Sequence, residues 1–148
     1  MDTLSTMTSI STLLASIIVA GTAVIAVMQL REMKQATIAQ AYSIVLAYVR
    51  APEAREARKV LVHIHEADFS KWTDEQIQKA EFACSTWDAI GILLRRRVID
   101  PKMITKEWRD SIVRCWENAL PMIDAFRKNR GGDFWDDFEW LYKLARSS

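Results

Sequence analysis

Glycine, proline and cysteine are all scarce in this chain. Its 148 residues include four glycines, three prolines and two cysteines. Turn-rich architectures need more glycine and proline than this, so the composition argues against a β-sandwich or β-barrel. Cys84 and Cys115 cannot frame a disulfide scaffold or a cysteine-rich metal fold. An excess of either charge is missing too: 20 basic side chains face 19 acidic ones, a net charge of +1. That balance offers no bulk attraction to nucleic acid, and none is expected as a partner. The length suits one domain with an appendage and leaves no room for a two-domain enzyme. How the charge is distributed says more than its sum. Thr3 to Leu30 carries no charged residue, and every basic residue lies from Arg31 onward.

Ile10 to Leu30 is therefore an uncharged, mostly apolar run of 21 residues. About 20 such residues, rising ~1.5 Å each, cross the ~30 Å hydrocarbon core of a bilayer. A buried core helix of this kind would need a larger protein around it. A cleaved signal peptide would begin with positive charge, whereas this chain begins Met1-Asp2-Thr3. The run reads as an uncleaved transmembrane anchor over residues 1–30, followed by a helical domain over 31–148. Arg31 and Lys34 flank only its carboxyl side, so the positive-inside bias puts the amino terminus outside and the domain in the cytoplasm. Reduced thiols there suit two unpaired cysteines. Ser9, Ser16, Ala20, Ala23 and Val27 recur at helical spacing along one stripe. Small residues let helices approach closely in lipid, so Ser16, Ala20, Ala23 and Val27 form the expected membrane-helix interface.

No proline precedes Pro52, so the first helix can continue to about Arg50. Its uncharged stretch between Lys34 and Arg50 is too short to cross a membrane again and too apolar to face water alone. Pro52 predicts a break at Ala51, and a second helix is expected to about Glu66. Thr73 and Gln76 make a capping box. It opens a helix whose inward seam is Ile77, Ala80, Cys84, Trp87, Gly91, Leu94 and Val98. Asp100-Pro101 supplies an N-cap and a first-turn proline for the next helix. That helix carries Ile104, Trp108, Ile112, Cys115, Trp116 and Ala119 inward and is expected to bend or restart at Pro121. Gly131-Gly132 ends it, and Asp133 begins a last short helix with Phe134, Phe138, Leu141 and Ala145 inward. The expected fold is all-α: an amino-terminal transmembrane helix continuing into a cytoplasmic antiparallel helical bundle.

The stretch from Arg127 through Gly131-Gly132-Asp133-Phe134-Trp135 to Phe138-Glu139-Trp140-Leu141 resembles the end of a family of small bacterial membrane-anchored proteins. That family is known only as a domain of unknown function. The resemblance extends to the order of parts: an amino-terminal span, a helical middle containing tryptophans such as Trp87 and Trp108, and a Phe-Glu-x-Leu-like ending. It implies a helical fold and a place in the bacterial inner membrane. It supplies no reaction, cofactor or catalytic residue.

The residues themselves offer little chemistry. His63 and His65, the only histidines, fall on opposite sides of the expected helix, and a zinc site needs three or four ligands. Neither cysteine has a C-x-x-C partner, and both fall on apolar faces. Phosphate-loop, dinucleotide and nucleophile-elbow motifs are absent. Asp74-Glu75 and Asp136-Asp137 are accounted for by helix amino termini. No catalytic residue, metal, cofactor or small-molecule substrate is inferred. Arg95, Arg96 and Arg97 close a helix, with anionic lipid headgroups as a second reading. Together with Arg31 and Lys34 they are the candidates for lipid-headgroup or partner contact. Trp72 and Trp140, at the edges of their helical faces, are the candidate surface anchors. The expectation is a non-enzymatic membrane-anchored assembly protein, bound to membrane lipid and forming a homo-oligomer or joining a membrane-protein partner. Two alternatives are an auxiliary subunit of a larger membrane complex and a membrane-perturbing effector of a toxin or anti-phage module.

Overall fold

The computed structural model describes residues 2–97 and 99–147, with the side chains of residues 2–6, 9 and 10 outside that description. Ser9 of the stripe and Val98 of the inward seam therefore lie outside the described residues. The described chain is all-α. It comprises α1 (Asp2–Arg50), α2 (Pro52–Val62), a short 3-10 turn (Phe69–Lys71), α3 (Asp74–Arg95), α4 (Pro101–Arg130) and α5 (Asp136–Ser147). Its contacts divide it into two compact units, Met1–Gln40 and Ala41–Ser148.

The first unit is helix alone. With no proline before Pro52, α1 runs uninterrupted for 49 residues, about 70 Å at the α-helical rise. From Ser11 onward it is long and apolar enough to cross a membrane, and none of its apolar window is covered by the rest of the chain.

The second unit is a helical bundle. Ala51 adopts an extended conformation before Pro52, which ends α1 where the proline requires. Residues 41–50 bury Val45 and Val49 in the bundle core, while Ile44 and Tyr48 on the other side stay 45% and 56% exposed. The capping box at the start of α3 is complete: Gln76 N–H donates to Thr73 Oγ1, and Thr73 N–H to Gln76 Oε1. Asp100 Oδ1 accepts the Lys102 N–H at the start of α4. Each cap satisfies donors that the first helical turn leaves free.

The α3 helix packs against α2, α4 and α5. It consequently buries Ala83, Thr86 and Ile90 besides Ala80, Cys84, Trp87, Gly91 and Leu94 of the expected seam, with Ile77 half-buried. On α4, Ile104, Ile112, Cys115, Trp116 and Ala119 are buried as their spacing implies. Phe138, Leu141 and Ala145 are the buried face of α5.

Three boundaries differ from the sequence expectation. The second helix stops at Val62, four residues early, where the His63 and Ile64 N–H groups turn back to Val60 and Leu61 carbonyls in 3-10 fashion. Of the bend or restart expected at Pro121, the restart does not occur: α4 is one helix from Pro101 to Arg130, with Ala119, Met122 and Ile123 buried on either side of the proline. The last helix begins at Asp136 because Trp135 sits at φ 58°, a left-handed conformation that interrupts helical geometry. That twist inserts the Trp135 ring into the core, and its Nε1 donates to Ser85 Oγ on α3 at 3.3 Å.

Gly91 fixes how close α3 and α5 come. A Cβ there would collide with the Asp137 carbonyl oxygen and stand 2.7 Å from its carbon. Both atoms are backbone, so the clash cannot be relieved by a side-chain rotation. Gly91→Ala is expected to destabilise the full chain by about 1–3 kcal/mol, and Gly91→Leu by more. A circular-dichroism melt in detergent should show both variants below the parent, in that order. Equal melting temperatures would mean that the α3–α5 contact yields without cost.

Candidate functional site

The expected membrane-helix interface lies wholly on α1. At ~100° per residue, Ser16, Ala20, Ala23 and Val27 fall within an arc of roughly 60°. Leu14, Ile18 and Ile25 lie on the opposite side, and all seven side chains are exposed. The hydroxyls of α1 from Ser11 to Thr37, on the stripe and off it, are turned back onto their own helix. Ser16 Oγ donates to the Thr12 carbonyl at 2.8 Å, and Thr22 Oγ1 to the Ile18 carbonyl at 2.7 Å. Ser11, Thr12 and Thr37 bond back in the same i−4 manner. Hydroxyls tied to their own helix carry no unsatisfied donor into lipid. Arg31 and Lys34 are exposed just after the apolar run.

The arginine triplet does not act as one group. Arg95 Nη1 donates to Asp136 Oδ2 at 2.8 Å and to Asp137 Oδ1 at 2.9 Å, tying the end of α3 to the start of α5. These bonds raise the Arg95 pKa, and the same guanidinium holds the Asp136 carboxyl below its ordinary value. Arg96 closes α3, while Arg97 stands at φ 56° with its N–H bonded to the Leu94 carbonyl. Both side chains are exposed and neither joins an ion pair among the described residues. Arg95, expected to close its helix with headgroup or partner contact as a second reading, is engaged by two carboxylates while its side chain stays 48% exposed.

The expectation that Trp72 is a surface anchor is corrected. It is 6% exposed, with its ring edge-on to Phe69 and its Nε1 donating to the Glu66 carbonyl at 2.9 Å. The loop and 3-10 turn after α2 fold over it, which a helix running to Glu66 would not have allowed. Trp140 is half-buried against the core.

Other side chains tie the bundle together without leaving a sequence signal. Arg58, on the apolar face of α2, is 7% exposed and lies 5.5 Å from the Trp87 ring centroid and 5.8 Å from that of Trp108. Its Nη2 donates to the Val49 carbonyl at 2.6 Å, holding the end of α1. Burial lowers its pKa, yet a guanidinium remains charged. Asp88 Oδ1 accepts the Phe138 N–H at 2.9 Å, and burial raises that carboxyl's pKa. Arg127 Nη1 pairs with Glu139 Oε2 at 2.8 Å while its Nε donates to the Phe134 carbonyl.

His63 and His65 lie in the loop beyond α2 and are exposed, His63 Nδ1 being 2.6 Å from the Lys59 carbonyl oxygen. Among the described residues, no three His, Cys, Asp or Glu side chains are grouped to hold a metal ion. Cys84 and Cys115 are buried, and desolvation pushes both thiols above their ordinary pKa.

The model of a protein family described as Domain of unknown function (DUF4760) matches residues 16–146. No curated protein and no solved structure matches the chain.

The Arg95 tether gives stability a direction with pH. A carboxyl held below its unfolded value contributes fully above that value, and the contribution is lost as pH falls through the lowered one. The ordinary Asp value is 3.8, so the Asp136 contribution is complete at neutral pH and disappears below that range. Arg95→Met should lower the melting temperature at pH 7, and the gap to the parent should narrow progressively as pH falls below the ordinary Asp value of 3.8. A gap independent of pH would show that Arg95 acts by packing alone.

Proposed function

Starting from a chain that belongs to the DUF4760 family, we propose a non-enzymatic membrane-anchored protein whose helices mediate assembly. The observation that carries this reading is α1: an uncovered apolar helix that aligns Ser16, Ala20 and Ala23 along a narrow face. In this reading residues 1–30 anchor the chain once in a bacterial inner membrane, and residues 31–148 form the cytoplasmic domain. Arg31 and Lys34, on the carboxyl side only, support an amino terminus outside. The Ser16–Ala20–Ala23–Val27 stripe meets the same stripe of a second copy, because only small residues let two backbones approach closely enough for dispersion to hold them. Ile44 and Tyr48, exposed in the second unit, offer apolar side chains of their own to a partner. Arg96, Arg97 and Trp140 remain available as headgroup or partner contacts.

Two measurements test this. Alkaline phosphatase fused after the last residue should be inactive, and a fluorescent protein there should fluoresce; an active phosphatase reverses the topology. Single cysteines along α1, with Cys84 and Cys115 replaced by Ala, should crosslink efficiently at 16, 20 and 23 and weakly at 18 and 25. Ala20→Ile should suppress those crosslinks several-fold, while Ala26→Ile should do less. A flat, inefficient profile would exclude self-association through α1 and favour an auxiliary subunit whose α1 meets a different protein.

A further inference from the structure

We propose that the groove between the first half of α4 and the end of α5 binds a phosphate group. Lys102, Lys106 and Arg109 lie on one strip of α4, within roughly 60° of arc at ~100° per residue. They line a cavity of about 600 Å³ whose other wall is Leu144 and Ser147 of α5. A volume of that order accommodates a small organic ligand, the usual range being ~300–1,000 Å³. Among the described residues, no acidic side chain lines it.

Thr105 lines the same cavity. It is fully buried, and its Oγ1 has no hydrogen-bond partner. An unpaired buried hydroxyl costs stability unless something else bonds it. Oγ1 is covered in this conformation, so it donates to a phosphate oxygen only once the side chains around it move aside.

A second cavity of about 280 Å³ adjoins the first through Arg109 and is lined also by Asp110, Val113, Arg114 and Arg146. The two cavities together gather five basic side chains and one carboxylate. That concentration belongs to a chain whose net charge is only +1. Stabilising the carboxyl end of α5 accounts for part of it, since Arg109 Nε donates to the Ala145 carbonyl at 3.0 Å. It does not account for Lys102 and Lys106, which make no ion pair among the described residues and leave two ammonium groups on the cavity wall. Asp110, one turn after Lys106, lines only the adjoining cavity and forms no ion pair with either lysine among the described residues, while Glu107 engages Arg50 and Tyr42. A phosphate monoester, with a charge of about −1.5 to −2 and three acceptor oxygens, suits several cations and a hydroxyl better than a singly charged carboxylate does. The phosphate belongs either to a lipid headgroup or to a soluble molecule, and binding assays separate the two.

The full chain is placed in nanodiscs of neutral phosphatidylcholine and titrated with glycerol 3-phosphate by calorimetry. In parallel, native mass spectrometry counts phosphatidic acid retained from nanodiscs that contain it. Binding in the first arm assigns a soluble phosphate, and retention in the second alone assigns a headgroup; either supports the site. Lys102→Gln/Lys106→Gln should weaken binding at least tenfold, and Thr105→Val at least threefold, with melting temperatures close to the parent. Lys59→Gln/Lys128→Gln removes the same charge from two exposed lysines outside both cavities and should change binding less than twofold. No binding in either arm overturns the proposal, and so does an equal loss in the two double variants, which would mark nonspecific attraction to basic surface. If Thr105→Val lowers the melting temperature, the lysine pair, both exposed, still decides the outcome.

Discussion

The close approach of α3 and α5 at Gly91 is the constraint on which the rest of the bundle depends. With twelve residues, α5 is too short to be stable as an isolated helix, so its packing has to hold it. The missing Cβ at Gly91 brings the first turn of α5 against α3. Three polar contacts then become possible along one seam: Arg95 to Asp136 and Asp137, Asp88 to the Phe138 N–H, and Trp135 to Ser85. The Phe138 bond matters because the first N–H groups of a helix have no partner inside it, and Asp88 supplies one from another helix. Gly91 thus sets the distance and the polar groups fix the register.

Arg58 holds the opposite side by a different balance. A guanidinium stripped of water loses several kcal/mol of hydration, and no carboxylate stands beside this one. Two indole faces return part of that loss, about 2 kcal/mol or more for a desolvated cation–π contact. The bond to the Val49 carbonyl returns more, since a charged donor meets one of the last carbonyls of α1, where the helix leaves them unpaired. Arg58 Nη1 stays without a partner. Truncating Arg58 would therefore relieve one buried donor and expose a second deficiency at the end of α1.

Local signals were legible in the sequence and distant ones were not. Thr73 with Gln76, Asp100 with Pro101, and Ala51 before Pro52 each act within three residues, and each marks a helix end in the structure. Apolar spacing likewise located the buried faces of α3, α4 and α5. The width of the α3 face was hidden, because a stripe read from one helix does not tell how many neighbours surround it. Asp133 looked like a helix start until the positive φ of Trp135 moved it, and that φ answers to Ser85, 50 residues away. Trp72 was read as a surface group because the loop that covers it has no helical spacing to announce it, and the carboxylate partners of Arg95 lie on another helix. Of the candidate interface, the geometry of the small stripe followed directly from helical spacing. The groove of Lys102, Lys106 and Arg109 was missed because its second wall comes from α5, although the three share one helical face in the sequence.

The i−4 hydroxyl bonds of α1 bear on how a partner would be chosen. Between Ser11 and Thr37 every hydroxyl is spent on its own backbone, at 2.7–2.9 Å. A helix of this kind has little polar vocabulary, and Gln29 at the end of the apolar run is the one amide it could offer before Arg31. On the proposed reading, neighbours in the bilayer are told apart from lipid chains by shape, and lipid chains compete for the same grooves in vast excess. Discrimination between one protein and another has to be written where water is present, in the charged and hydrogen-bonding surface of residues 41–148.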